Sequence, residues 1–188
     1  MTQRLFIAIN LDAATKLALV QIITQFPDTR SLNKTKSDNL HLTLQFLGDT
    51  EVGLIPEIQD ILKSIADQYP QFELNCTRWG AFPNFQQPHT IWIGVAGPRL
   101  LELQTALTKQ LSRIVLNNKN TKPFQPHLTL ARVKFPLSSN DLTQIQSLAT
   151  KIILPPPTSA KSLDLMASTL TPRGPIHSLV SRHLFVSK

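Results

Sequence analysis

The word His41-Leu42-Thr43-Leu44 lies in DNLHLTLQFLG (38–48) and returns as His127-Leu128-Thr129-Leu130 in FQPHLTLARVK (124–134). With five histidines in the chain, and about one match in sixteen at each following position, chance produces such a repeat roughly once in 400. The repeat therefore suggests an internal duplication. Side chains alternate between the two faces of a strand. His41 and Thr43 then point one way and Leu42 and Leu44 the other, and the same holds for His127 and Thr129 against Leu128 and Leu130. The leucines can bury beneath helices. If the two words face each other, two imidazoles and two hydroxyls converge on one cleft.

The flanking sequence supplies the helices and further strands. RLFIAIN (4–10) reads as a buried strand, and Asp12 as the N-cap of a helix carrying Leu17, Val20 and Ile23, with Leu19 and Ile22, and ending near Pro27. Residues 28–38 are polar and read as a loop. Ile55, Ile58, Ile61, Leu62 and Ile65 form one stripe of a helix over about 54–68, and Leu100, Leu103, Leu107, Leu111 and Ile114 mark another. Strands are expected at 71–82 and 89–95, a helix at 139–149, and two final strands at 161–170 and 178–186. Pro155-Pro156-Pro157 breaks the chain between that helix and the final strands. No flexible linker separates independent domains, so residues 1–188 are expected to form a single α+β domain of two lobes, each holding one HLTL strand.

Composition narrows the partners. The chain has 188 residues, enough for a sizeable core, and 41% of them are hydrophobic. Its formal charge is +7, a surplus that favours polyanions such as nucleic acid. Cys76 is the lone cysteine, which rules out an internal disulfide and suits a reducing compartment. No apolar run reaches the length of a signal core or a membrane span. A soluble cytoplasmic protein is expected.

Histidine titrates near neutrality, so one imidazole can remove a proton from water while the other delivers one to a leaving oxygen. Threonine hydroxyls can hold non-bridging phosphate oxygens, and Arg132 adds a permanent cation beside the second word. This quartet suits phosphate-ester chemistry. A metal site lacks its ligands: there is no H-x-x-x-H, no cysteine cluster and no carboxylate within either word. No phosphate-binding glycine loop, nucleophile elbow or dinucleotide fingerprint is present. No cofactor is expected. His89, His177 and His183 lie outside any H-x-T word and read as structural or surface residues.

On these motifs the chain resembles the 2H phosphoesterase superfamily, and more closely its RNA 2′,3′-cyclic phosphodiesterases, also called 2′-5′ RNA ligases. RLFIAINL, NLHLTLQFLGDT, GAFPN, IWIGV, FQPHLTLARV and LMASTLTPRG carry the resemblance over nearly the whole chain. It implies a bilobal α+β fold of pseudo-twofold symmetry, with two antiparallel sheets facing a cleft and helices outside. It implies metal-independent hydrolysis of a 2′,3′-cyclic phosphate to a 2′-phosphomonoester, and possible reversible 2′-5′ ligation. His41 would be the proton donor to the 3′-oxygen and His127 the acceptor from water, with Thr43, Thr129 and Arg132 on the phosphate. The expected partners are RNA ends or nucleoside 2′,3′-cyclic phosphates, and a monomer is expected. The residues alone leave acid and base unassigned. They also leave open another cyclic nucleotide, a 2′-5′-linked oligonucleotide, or a non-catalytic RNA-end binder. The chain lacks the aromatic residue that relatives often carry before the first motif. It has His89 where many have Arg, and His177 where Tyr is common.

Overall fold

The computed structural model describes residues 1–114, 123–172 and 174–187. Strand β1 (Thr2–Asn10) leads into helix α1 (Ala13–Thr24), which starts where the Asp12 carboxylate accepts the Thr15 backbone N–H at 2.7 Å. A short strand β2 (Leu32–Lys34) and a 3-10 turn at Ser37–Asn39 precede β3 (His41–Glu51). Helix α2 (Ile55–Ala66) carries Pro56 in its first turn, where a missing N–H costs no helical bond, and buries Ile58, Leu62 and Ile65. Strands β4 (Phe72–Phe82) and β5 (Thr90–Ala96) follow, then α3 (Leu100–Leu111), which buries Leu100, Leu103, Leu107 and Leu111 at helical spacing.

The second half continues with β6 (His127–Val133) and α4 (Ser139–Lys151). A capping box opens α4: the Ser138 hydroxyl accepts the Asp141 N–H, and the Asp141 carboxylate accepts the Ser138 N–H. Then come β7 (Thr158–Ala160), β8 (Ser162–Thr171) and β9 (Gly174–Leu184). The polar segment 28–38 holds β2, which the sequence reading leaves as loop. Both β2 and β7 are three residues long, too short to show a period, and each exists by pairing with a longer strand.

The strands form one nine-stranded sheet in the order β7-β4-β5-β6-β3-β1-β8-β9, with β2 also on β6. Every pair of these strands is antiparallel. Two halves, β4-β5-β6 and β3-β1-β8, meet through the single residue pair Leu42↔Leu128. These are equivalent positions of the repeated word, so the pseudo-twofold axis passes between them. Leu42 and Leu128 are 0% and 1% exposed. They join a core that contains Leu5, Ile7 and Ile9 of β1 together with buried residues of α1, α2, α3 and α4. The opposite face holds a small cluster of Phe6, Ala8 and Met166.

Candidate active site

An antiparallel register fixed at Leu42↔Leu128 sets His41 across from Thr129 and Thr43 across from His127. The four side chains are partly exposed, while all four leucines of the two words are buried. The alternation read from the sequence thus places the quartet on one face.

Both imidazoles are anchored alike. His41 Nδ1 lies 2.8 Å from the Asn39 carbonyl and His127 Nδ1 lies 2.7 Å from the Gln125 carbonyl, in each case two residues upstream. A carbonyl can only accept, so each Nδ1 carries the proton and each neutral ring keeps its lone pair at Nε2. His41 Nε2 lies 3.0 Å from Thr43 Oγ1. When that nitrogen is protonated it donates to the hydroxyl oxygen, leaving the hydroxyl hydrogen free for a substrate oxygen.

Aromatic walls hold the rings. His41 packs on Phe6, with centroids 4.9 Å apart, and His127 packs on Phe82 at 5.0 Å and Trp92 at 6.0 Å. The Trp92 indole lies across β4 where Gly80 has no side chain: a Cβ there would sit 2.1 Å from the indole. The Arg78 guanidinium lies 5.5 Å from the centroid of the Trp92 ring. Burial in these walls pushes the His41 pKa down from 6.5 to about 4, assisted by His177, Lys16 and Arg132 and opposed by the Asn39 carbonyl. His127 is lowered too, first by burial and then by Arg132, against the Gln125 carbonyl.

Arg132 reaches this face through a β-bulge. Trp92 pairs with Thr129 but Ile91 pairs with Ala131, so Leu130 is the extra residue of β6. Leu130 and Ala131 are both buried, and the next residue, Arg132, emerges on the side of Thr129. Its positive charge lowers the pKa of His41, His127 and His177. All five residues singled out from the sequence therefore gather in one place.

His177 gathers there as well, which the sequence reading did not anticipate. Its ring meets His41 edge-on at 5.3 Å and Phe6 at 4.9 Å. The Asn39 amide donates to the Pro175 carbonyl at 2.9 Å and ties the turn before His41 to β9. No H-x-T word marks His177; only strand pairing brings β9 back beside β8. Next to His41 in the β1–β3 register stands Asn10, whose amide donates to Asp164 at 2.6 Å. Asp164 is fully buried and is neutralised by a bidentate pair with Arg182 at 2.9 and 2.8 Å. Both carboxylate oxygens are engaged by these partners. His89 is exposed, and His183 bonds Ser181 at 3.0 Å.

Among the described residues, no three His, Cys, Asp or Glu side chains cluster as a metal site would require. Cys76 is half-buried, and burial pushes its thiol up to about 11. No described helix is long and apolar enough to cross a membrane. A separate open depression of about 610 Å³, lined by Tyr69, Pro98, Leu101, Glu102 and Thr105, holds none of these histidines.

A sequence profile described as the 2′-5′ RNA ligase superfamily matches residues 23–167. The chain belongs to that superfamily. A Methanocaldococcus jannaschii protein named RNA 2′,3′-cyclic phosphodiesterase is 30% identical over 177 residues, covering 94% of this chain and 98% of the relative. A Thermotoga maritima protein of the same name is 30% identical over 94% of this chain and 92% of its own length. In three dimensions, TT0787 of Thermus thermophilus superposes with a TM-score of 0.83 at 24% identity, covering 97% of each chain. Escherichia coli LigT complexed with 3′-AMP gives 0.77 at 23% identity over 99% of each chain. The two structural likenesses establish a shared fold. The superfamily match covers both HLTL words and most of the elements that carry them.

Proposed function

We propose that this protein hydrolyses the 2′,3′-cyclic phosphate of RNA ends, or of nucleoside 2′,3′-cyclic phosphates, to a 2′-phosphomonoester. The observation that carries this reading is the pair of imidazoles anchored identically at Nδ1 on adjacent strands, each beside a threonine. Water attacks phosphorus on the side opposite O3′. His127 Nε2 takes the water proton as the new phosphorus–oxygen bond forms. The phosphorus–O3′ bond breaks, and His41 Nε2–H delivers its proton to O3′. Thr43 and Thr129 hold non-bridging oxygens, and Arg132 balances the charge that builds on them. Every role is filled by a side chain of this one chain, with no metal ion in any step. The two halves thus act as one domain, and a monomer suffices. A lone half-buried thiol suits work in the reducing cytoplasm.

The test uses cyclic-phosphate-ended RNA and adenosine 2′,3′-cyclic phosphate in excess EDTA, with the product isomer identified by NMR. The 2′-phosphate should form at an undiminished rate. His41→Ala and His127→Ala should each lose about 100-fold or more, the scale of acid–base catalysis. The double variant should lose much less than the product of the two. Near-wild-type turnover by either folded single variant sinks the assignment.

A further inference from the structure

β9 is the outermost strand of the His41 half, in the order β6-β3-β1-β8-β9, yet it delivers an imidazole to the catalytic face. The pairing of β8 with β1 ends at Leu5↔Ala167, and the β8–β9 hairpin continues past it as a free arm. This arm reaches back to the turn before His41. Its Gly174 lies against Asn33 of β2, where an added Cβ would sit 3.4 Å from Nδ2, and its Pro175 carbonyl accepts the Asn39 amide at 2.9 Å. His177, on the same arm, stands edge-on to Phe6 and His41. Packing does not explain an imidazole here, because an apolar ring would cover Phe6 equally well. The His177 Nδ1 is buried and has no hydrogen-bond partner among the described residues, which costs stability. Orphaned buried N–H groups are rarer than orphaned acceptors, so the neutral ring carries its proton on Nε2. Among the described residues Nε2 has no partner either, and it is not buried. It is a free donor beside the proton-transfer pair.

The surrounding charge defines what that donor meets. Arg132 lowers the pKa of both His41 and His177, and Lys16 adds to its effect on His41, so the ground between the rings is positive. Asp164 has both oxygens engaged. The position of the donor defines which anion it meets. The cyclic phosphorus lies between the words on β3 and β6, and His177 approaches His41 from the side away from β6. O3′ sits at His41, and the rest of the terminal nucleotide extends from it. We infer that His177 Nε2–H binds the phosphodiester on the 5′ side of the terminal nucleotide, which makes the site selective for a polynucleotide end over a free nucleoside cyclic phosphate. The inference rests on the phosphodiesterase reading and extends it to substrate class. A nucleoside 2′,3′-cyclic phosphate has no second phosphate and leaves this donor to water.

The test measures kcat/KM on three substrates: adenosine 2′,3′-cyclic phosphate, the dinucleotide ApA ending in a 2′,3′-cyclic phosphate, and the same dinucleotide with a neutral methylphosphonate between its nucleosides. The second base is present in both dinucleotides and cancels between them. Wild type should favour the natural dinucleotide over its methylphosphonate by about 10- to 100-fold, the range for one hydrogen bond to a charged group. His177→Phe keeps an aromatic ring on Phe6 and removes the donor, so this ratio should fall to about 1, whatever the variant does to adenosine cyclic phosphate through His41. His177→Gln keeps an N–H near Nε2 and should retain part of the ratio. A ratio near 1 in wild type would overturn the proposal. So would a ratio unchanged in His177→Phe, which would leave His177 with a positioning role on His41 alone. Wild-type protein that turns over none of the three substrates would instead overturn the phosphodiesterase reading. In that case calorimetry with the two dinucleotides bearing a 2′-phosphate, on wild type and His177→Phe, still decides the contact.

Discussion

In the proposed mechanism His41 is the general acid and must hold a proton when the substrate arrives, yet its surroundings oppose one. Its pKa falls from 6.5 to about 4. Keeping the free protein's imidazole charged at neutral pH is thus about 3 kcal/mol harder than for an exposed histidine, at 1.36 kcal/mol per pKa unit. A bound phosphodiester supplies the remedy. One negative charge about 4 Å from the ring contributes about 4 kcal/mol at an effective dielectric of 20, enough to bring the pKa back to about 7. Substrate binding should therefore load the acid. The Cε1–H resonance of His41, assigned by loss in His41→Ala, should titrate well below pH 6 in the free protein. With adenosine 2′-phosphate bound, it should titrate near neutrality. The alkaline limb of kcat, which reports the complex, should lie above that of kcat/KM, which reports the free protein. Replacing His177 by Phe removes a competing charge 5.3 Å away and should raise the free-protein midpoint of His41. Folding is linked in the same direction. The folded pKa lies below the unfolded one, so this contribution is fully present above about pH 6.5. It is lost as the pH falls from about 6.5 to about 4, because there the unfolded chain binds the proton more tightly. A His41 that titrates near 6.5 in the free protein and does not respond to ligand would refute this reasoning.

Thr43→Val and Thr129→Val keep the side-chain shape and remove the hydroxyl that the proposed mechanism bonds to the charged phosphate. Each should cost about 1.5–3 kcal/mol of transition-state binding, roughly 10- to 100-fold in kcat/KM, with unchanged melting temperature. Unchanged rates in both would remove the hydroxyls from the site. Leu42→Ala opens a cavity where the two halves of the sheet meet and should destabilise the fold by about 2–5 kcal/mol in urea titrations.

The repeated word was legible because its chemistry coincides with strand alternation. His and Thr two residues apart share a face, and the leucines between them share the core, so a period of two sufficed to place four of the five site residues. Arg132 is different. By simple alternation Ala131, not Arg132, follows His127 and Thr129 onto the open face. The bulge at Leu130 shifts the phase by one, and nothing in Leu-Ala-Arg announces it. Arg132 could be singled out by proximity to the motif, but not aimed. His177 could not be found even by proximity, because it is 136 positions from His41 and reaches it only through the order β3-β1-β8-β9.

The two bulges let a sheet with a repeated word present an unsymmetrical face. Leu44 and Leu130 are the same letter of the same word, and each interrupts pairing with the strand on its outer side. An unbulged strand would turn Gln45 and Ala131 toward the histidines and bury Phe46 and Arg132 against the helices. Burying a guanidinium without a partner there would cost far more than the leucine contacts return. With the bulge, the buried pair stays apolar or amide, and the sixth letter is free to differ between halves. The repeat thus keeps one histidine and one threonine in each half, the arrangement that the proposed in-line proton transfer uses on the two sides of phosphorus. The residue just past each bulge distinguishes one side from the other, with a cation in one half and an aromatic ring in the other.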